Sequence, residues 1–163
     1  GTGFKYVKLQ QNFPYFSGNL SIILGHRVTI HSRSSFVGGK IYPLPTLEVG
    51  DRTYLGPGFS VGIAKKVSIG SDCLIGEVTI MDNDGHPLDA EKRINNYPVE
   101  KKNVKPVNIG DKVWIGNHVT ILKGVKIGEG AVIAPGSVVS SNVPANALAA
   151  GNPIRIIPLI PQD

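Results

Sequence analysis

The sequence predicts an all-β fold, a stacked parallel solenoid, and three observations predict it. Aliphatic residues recur every six positions, glycine follows many of them, and β-branched residues fill the intervals. The pattern is cleanest in the second half, where sixes open at Ile109, Ile115, Ile121, Ile127, Ile133 and Val139. The second place in each six is usually small, and the fifth is Val, Ala or Ser. A helix does not account for this, because a period of six does not match 3.6 and the glycines and β-branched residues oppose helical backbone. A short strand followed by a turn, repeated, does. The first aliphatic points inward, the fifth residue lies near the next corner, and Gly in second place tolerates a tight turn. Three sixes of about eighteen residues make one triangular coil, and about five such coils stack so that each hides the core of its neighbour.

Taken in order, residues 1–20 hold Phe4, Tyr6, Phe13, Tyr15 and Phe16 without a clear period, and are expected to pack on the first coil as an N-terminal cap. Residues 21–81 are the early coils. Leu24, Ile30 and Phe36 form a ragged first set, Val49, Leu55 and Val61 a second, and Ile69 and Ile75 a third, shifted by two residues and completed by Met81. Phe59 and Lys65 occupy fifth places that suit small residues, so that coil should be distorted. Cys73, also fifth, reads as a small core residue. Residues 82–106 leave the sixes entirely, and an excursion of this length from a compact solenoid is normally functional. Residues 107–144 are the regular coils. Residues 145–163 are a short irregular tail, in which Pro153, Pro158 and Pro161 forbid a long helix and the chain from Arg155 is extended.

The chain of 163 residues is expected to form a single domain. One cysteine excludes an intrachain disulfide and a multi-thiolate zinc site. No stretch approaches the ~18 apolar residues of a membrane helix, and no basic-then-apolar leader opens the sequence, so the expectation is a cytoplasmic protein without a membrane span. A net charge of +5 suits a small anionic ligand; with 7% aromatic residues and scattered Lys and Arg it does not point to nucleic acid.

The excursion opens Met81-Asp82-Asn83-Asp84-Gly85-His86-Pro87-Leu88-Asp89. His86 stands between Gly85 and Pro87 on a stiff turn with carboxylates nearby. A histidine whose second nitrogen meets a carboxylate or carbonyl is a good general base near neutral pH; the plainer reading is a solvated loop residue. A Ser-His-Asp hydrolase lacks its G-x-S-x-G elbow. A histidine-only zinc site stays open as an alternative, drawing on His26, His31, His86 and His118.

From Asp84 to Ile157 the chain resembles the sugar O-acetyltransferases of the hexapeptide-repeat superfamily, the galactoside and maltose acetyltransferases in particular, with capsule and O-antigen acetyltransferases carrying similar signatures. The resemblance lies in Gly85-His86-Pro87-Leu88-Asp89, Ile109-Gly110-Asp111-Lys112-Val113-Trp114-Ile115-Gly116, Gly124-Val125-Lys126-Ile127-Gly128, Val143-Pro144-Ala145-Asn146-Ala147 and Ala150-Gly151-Asn152-Pro153-Ile154-Arg155. It implies a left-handed parallel β-helix, a hand that periodicity does not supply. It implies a homotrimer with acetyl-CoA as co-substrate in the groove between subunits, and no required metal. His86 falls on the family's catalytic base, which takes the proton of an acceptor hydroxyl for direct attack on the thioester. Asn83 and Asp84 fall on the active-site loop, and Trp114 on the active-site wall. The acyl-CoA contacts fall on Asn117, Ala134, Pro135, Ser140, Ser141 and Arg155, with the Asn117 N–H toward the thioester oxygen and Arg155 toward a phosphate.

The chain departs from the family in five places. Ser141 stands where relatives carry Lys and Pro158 where they carry Arg, which shifts phosphate binding toward Lys123 or Lys126. Gly58 stands for an acceptor-contacting Asn, and the loop after His86 is longer. The first twenty residues do not resemble the family's helical opening. The resulting expectation is an acetyl-CoA-dependent acyltransferase that O-acetylates a sugar or sugar-containing precursor. The alternatives are N-acetylation of an amino sugar, a zinc protein resembling gamma-class carbonic anhydrases, and a non-catalytic hexapeptide-repeat scaffold.

Overall fold

The computed structural model describes residues 7–10 and 13–158. Their strands form three parallel sheets, each a flat face of a prism. The first face runs from Val7–Leu9 through Val28–Ile30, Tyr54–Leu55, Leu74–Ile75, Trp114–Ile115 and Val132–Ile133 to Leu148–Ala150. The second runs from Tyr15–Ser17 to Val138–Val139 and the third from Ser21–Leu24 to Lys126–Ile127. Successive strands of the chain visit the three faces in turn, so each circuit is one coil.

The inward residues stack in register. Ile30, Leu55, Ile75, Ile115, Ile133 and Ala149 form the row of the first face. Phe36, Val61, Ile80, Ile121 and Val139 form that of the second. Leu24, Val49, Ile69, Ile109 and Ile127 form that of the third, which an isolated bridge extends to Val143. Most of these residues are fully buried, and each buried Ile contributes about 1.5–3 kcal/mol by leaving water.

Four expectations need correction. The stack holds about six coils rather than five, because Val7–Leu9 and Tyr15–Ser17 pair with the next coil as strands of a first one. Of the residues expected in a cap, Phe4 and Tyr6 lie outside the described residues. The third member of the Ile69 set is Ile80, not Met81: the corner at Gly76-Glu77 is one residue short, so Ile80 pairs with Val61 and is fully buried. The Val49 coil keeps its pairing: Phe59 fits the core against Phe36, ring centroids 5.9 Å apart, while Ser60–Ile63 runs long and Lys65 turns out to solvent. Finally, glycine in second place is required by close approach, not by a left-handed turn. A Cβ on Gly70 would lie 2.6 Å from the Asp111 nitrogen of the next coil. The left-handed angles fall on the fourth place, at Arg52, Asp72, Lys112 and His118, φ 55° to 59°.

The C-terminal segment is more regular than expected up to Ile157. Leu148–Ala150 continues the first face, and Arg155–Ile157 folds back antiparallel against it. The turn between them closes on the second face, with Val138 N–H donating to the Gly151 carbonyl and Ile154 N–H to the Val138 carbonyl.

Candidate active site

The excursion leaves the second face after Val78–Met81 and rejoins the third at Val107–Ile109. Asp82 holds both of its ends. Its fully buried carboxylate accepts the backbone N–H groups of Ala64 (2.7 Å), Lys65 (2.7 Å) and Lys66 (2.8 Å), while its carbonyl accepts Lys105 N–H at 2.8 Å. Nothing in the local sequence marked this residue; its role depends on a neighbouring coil about seventeen residues earlier.

Beyond Asp82 the chain is wound tightly. Asn83 donates to the Asp82 carboxylate (2.9 Å) and accepts Gly85 N–H (2.8 Å), Gly85 sits at φ 73°, and His86 N–H donates to the Asp84 carbonyl (2.8 Å). Lys123, from the coil above, pairs with Asp84 at 2.5 Å. Asp89 caps the short helix Ala90–Ile94 through Lys92 N–H, and Arg93 reaches back to the carbonyls of Pro87 and Leu88. His86 is thereby presented at the surface on a turn fixed from both sides. The carboxylates flanking it in sequence do not orient its ring, because Asp84 is engaged by Lys123 and Asp89 by the helix.

The other expected site residues divide between two edges of the prism. Asn83, Asp84 and Ser140 line one cavity of about 380 Å³ with Lys123, at the edge between second and third faces. Ser141 is exposed beside Ser140. Trp114, Asn117 and Pro135 line a shallow groove of about 390 Å³ at the edge between first and second faces. Trp114 is 54% exposed and stacked between Leu74 and Val132. The Asn117 side chain accepts Glu77 N–H of the coil below (3.0 Å), and its carbonyl accepts Gly136 N–H of the coil above. Ala134 is tied to the coil above through Ala149, and Arg155 is exposed on the returning strand.

Of the two lysines offered as substitutes for phosphate binding, Lys123 is committed to Asp84, and Lys126 lies on the third face, away from both edges. Cys73 is buried, with its sulfur toward the Gly110 carbonyl, and burial raises its thiol pKa. Of the histidines, His31 engages Ser32 and His118 faces Glu77. Among the described residues no three metal-ligating side chains gather in the chain, and no helix is long and apolar enough to cross a membrane.

Residues 106–141 match the family described as bacterial transferase hexapeptide (six repeats). A hexapeptide-repeat acetyltransferase of Vibrio cholerae of known structure is 30% identical, with 83% of this chain aligned to 72% of that one at a TM-score of 0.69. The chain belongs to the hexapeptide-repeat acetyltransferases. Among curated relatives, the polysialic acid O-acetyltransferase of Escherichia coli O1:K1 / APEC is 44% identical over 136 residues, which is 80% of this chain and 42% of that protein. A structure of galactoside acetyltransferase in complex with coenzyme A aligns at 29% identity and a TM-score of 0.59, over 93% of this chain and 63% of that one. The chain thus spans less than half the length of the polysialic acid O-acetyltransferase.

Proposed function

We propose that this chain forms the transfer site of an acetyl-CoA-dependent O-acetyltransferase whose acceptor is a sugar hydroxyl, with His86 as general base. The observation that carries the proposal is the presentation of His86. A buried carboxylate, an Asn-anchored turn and the Asp84–Lys123 pair fix the turn from which the His86 imidazole faces solvent. Its kinship to an O-acetyltransferase of a polysaccharide, and its likeness to an acetyltransferase that binds coenzyme A, support the choice of reaction.

In this reading His86 accepts the acceptor hydroxyl proton as the oxygen attacks the thioester carbonyl. The C–S bond then breaks, and the thiolate of coenzyme A leaves with that proton. Backbone N–H groups at the Asn117 corner stabilise the oxyanion, and Arg155 meets a phosphate. The two halves of this machinery lie on different edges of one prism. A homotrimer resolves this by setting the His86 edge of one subunit against the Trp114–Asn117 edge of the next.

Titration of the purified protein with acetyl-CoA is expected to show saturable binding near one site per chain. His86→Ala is expected to lose at least ~10²-fold in kcat while its acetyl-CoA affinity stays near that of the parent. The product is expected to be an ester that mild hydroxylamine cleaves. Undiminished turnover in His86→Ala would remove the histidine from its role.

A further inference from the structure

The edge that carries His86 holds a second, shorter excursion at residues 39–45, two coils earlier. Between the two excursions lies a cavity of about 350 Å³, bordered by Lys40, Ile41, Ala64, Asn83, Gly85 and Asn96 among others. This is within the size range of small-ligand sites. Asn83 and Gly85 belong to the turn that presents His86, so the cavity opens beside the proposed base. The wall is mostly apolar, with Val37, Ile63, Met81 and Val99 placed to meet the face of a sugar ring, and the Asn96 amide is left for its hydroxyls, since that of Asn83 is engaged by Asp82 and Gly85.

The surroundings of this cavity are cationic. The ring of Tyr42 rests on a small apolar cluster with Ala64, Val99 and Val104. The ammonium groups of Lys65 and Lys101 each lie 5.5 Å from its centroid. Lys66 pairs with Glu48, Lys92 and Lys102 share Glu100, and Lys123 pairs with Asp84. Lys40, Lys65 and Lys101 pair with no carboxylate of a described residue. Two like charges beside one ring, with a third on the cavity wall, create a positive field at the surface, where none of the three ammonium groups has a carboxylate partner among the described residues. A neutral sugar has no use for that field; a glycan bearing carboxylates does.

We propose that this cavity and its lysine rim are a binding site for a carboxylate-bearing glycan, with one sugar seated beside His86 and the acidic groups of the chain meeting Lys40, Lys65 and Lys101. As an acceptor site it rests on the acetyltransferase reading; as a binding site it does not. Calorimetry with oligogalacturonate and a neutral dextran oligomer as probes, with acetyl-CoA binding measured on each protein, tests both separately. Oligogalacturonate is expected to bind the parent chain, and to bind more weakly as salt rises. Lys65→Glu with Lys101→Glu is expected to weaken it at least ~10-fold, and Lys65→Gln with Lys101→Gln to weaken it less. The distant Lys8→Glu should leave it unchanged, and every variant should keep its acetyl-CoA affinity. Equal binding of the two probes, or undiminished oligogalacturonate binding in both paired variants, would overturn the site. Oligogalacturonate binding without acetyl-CoA binding would support the glycan site and overturn the acetyltransferase reading instead.

Discussion

Asp82 is a fully buried carboxylate with three backbone N–H groups around it. Each of those donors belongs to the corner at 64–66, where the strand Ser60–Ile63 ends late and the chain must turn before Lys66–Ile69. An unsatisfied donor there has no neighbouring coil carbonyl within its own corner, so the side chain of a later residue serves. Asp82→Ala should therefore cost about 3 kcal/mol or more, read as a lower midpoint in urea unfolding. Asp82→Asn keeps one acceptor oxygen and should cost less. His86 stood out in the sequence because Gly85 and Pro87 bracket it. Asp82 did not, because the backbone donors to its carboxylate, at Ala64, Lys65 and Lys66, lie more than fifteen residues back along the chain.

At the scale of the element, the excursion at 82–106 is the least supported part of the stack. The helix Ala90–Ile94 buries no residue, and only Val99 and Val104 enter a small apolar cluster. Ion pairs from Glu100 to Lys102 and Lys92 tie the helix to the returning segment. Hydrogen bonding to Lys102, and then to Lys92, lowers the Glu100 carboxyl from 4.5 to about 2. A carboxyl lowered on folding stabilises the fold in full above its ordinary value and loses that contribution as acid protonates it. The excursion should accordingly lose amide-exchange protection, relative to the coils, as pH falls from about 4.5 toward about 2. Glu100→Gln should flatten that dependence. The pairs are exposed, so the effect is local to the excursion and small in global stability. The sequence marked this segment by the loss of its sixes; the ties that hold it are long-range and left no local signal.

At the scale of the molecule, the first face carries an outward row that includes Leu74, 51% exposed, and Trp114, 54% exposed. Both side chains line the groove that also holds Asn117 and Pro135. Large side chains left in water beside a proposed site are the surface that a second copy of the chain would cover. The protein should run in light scattering at three times its 17.4 kDa chain mass. Trp114→Glu should shift it toward the monomer and lower acetyl transfer with it. A monomeric, fully active parent would remove the shared site.

Periodicity in the sequence determined the class of fold. One buried aliphatic every six residues is enough to specify strand, corner and inward face, and those requirements are local. The same local logic located the excursion and singled out His86. It did not determine why glycine stands at many of the corners, since that follows from the backbone of the next coil lying within 2.6 Å of a Cβ at Gly70. Nor did it separate Ile80 from Met81, because one missing residue at the Gly76-Glu77 corner changes which side chain points inward. Only the tertiary structure decided that Asp82 holds the excursion and that Asp84 is committed to Lys123. It also brought Lys65 and Lys101 together over Tyr42, with Lys40 on the wall of the adjoining cavity. Each of these joins residues from different coils, and the stacking of coils sets contacts that no interval along the chain encodes.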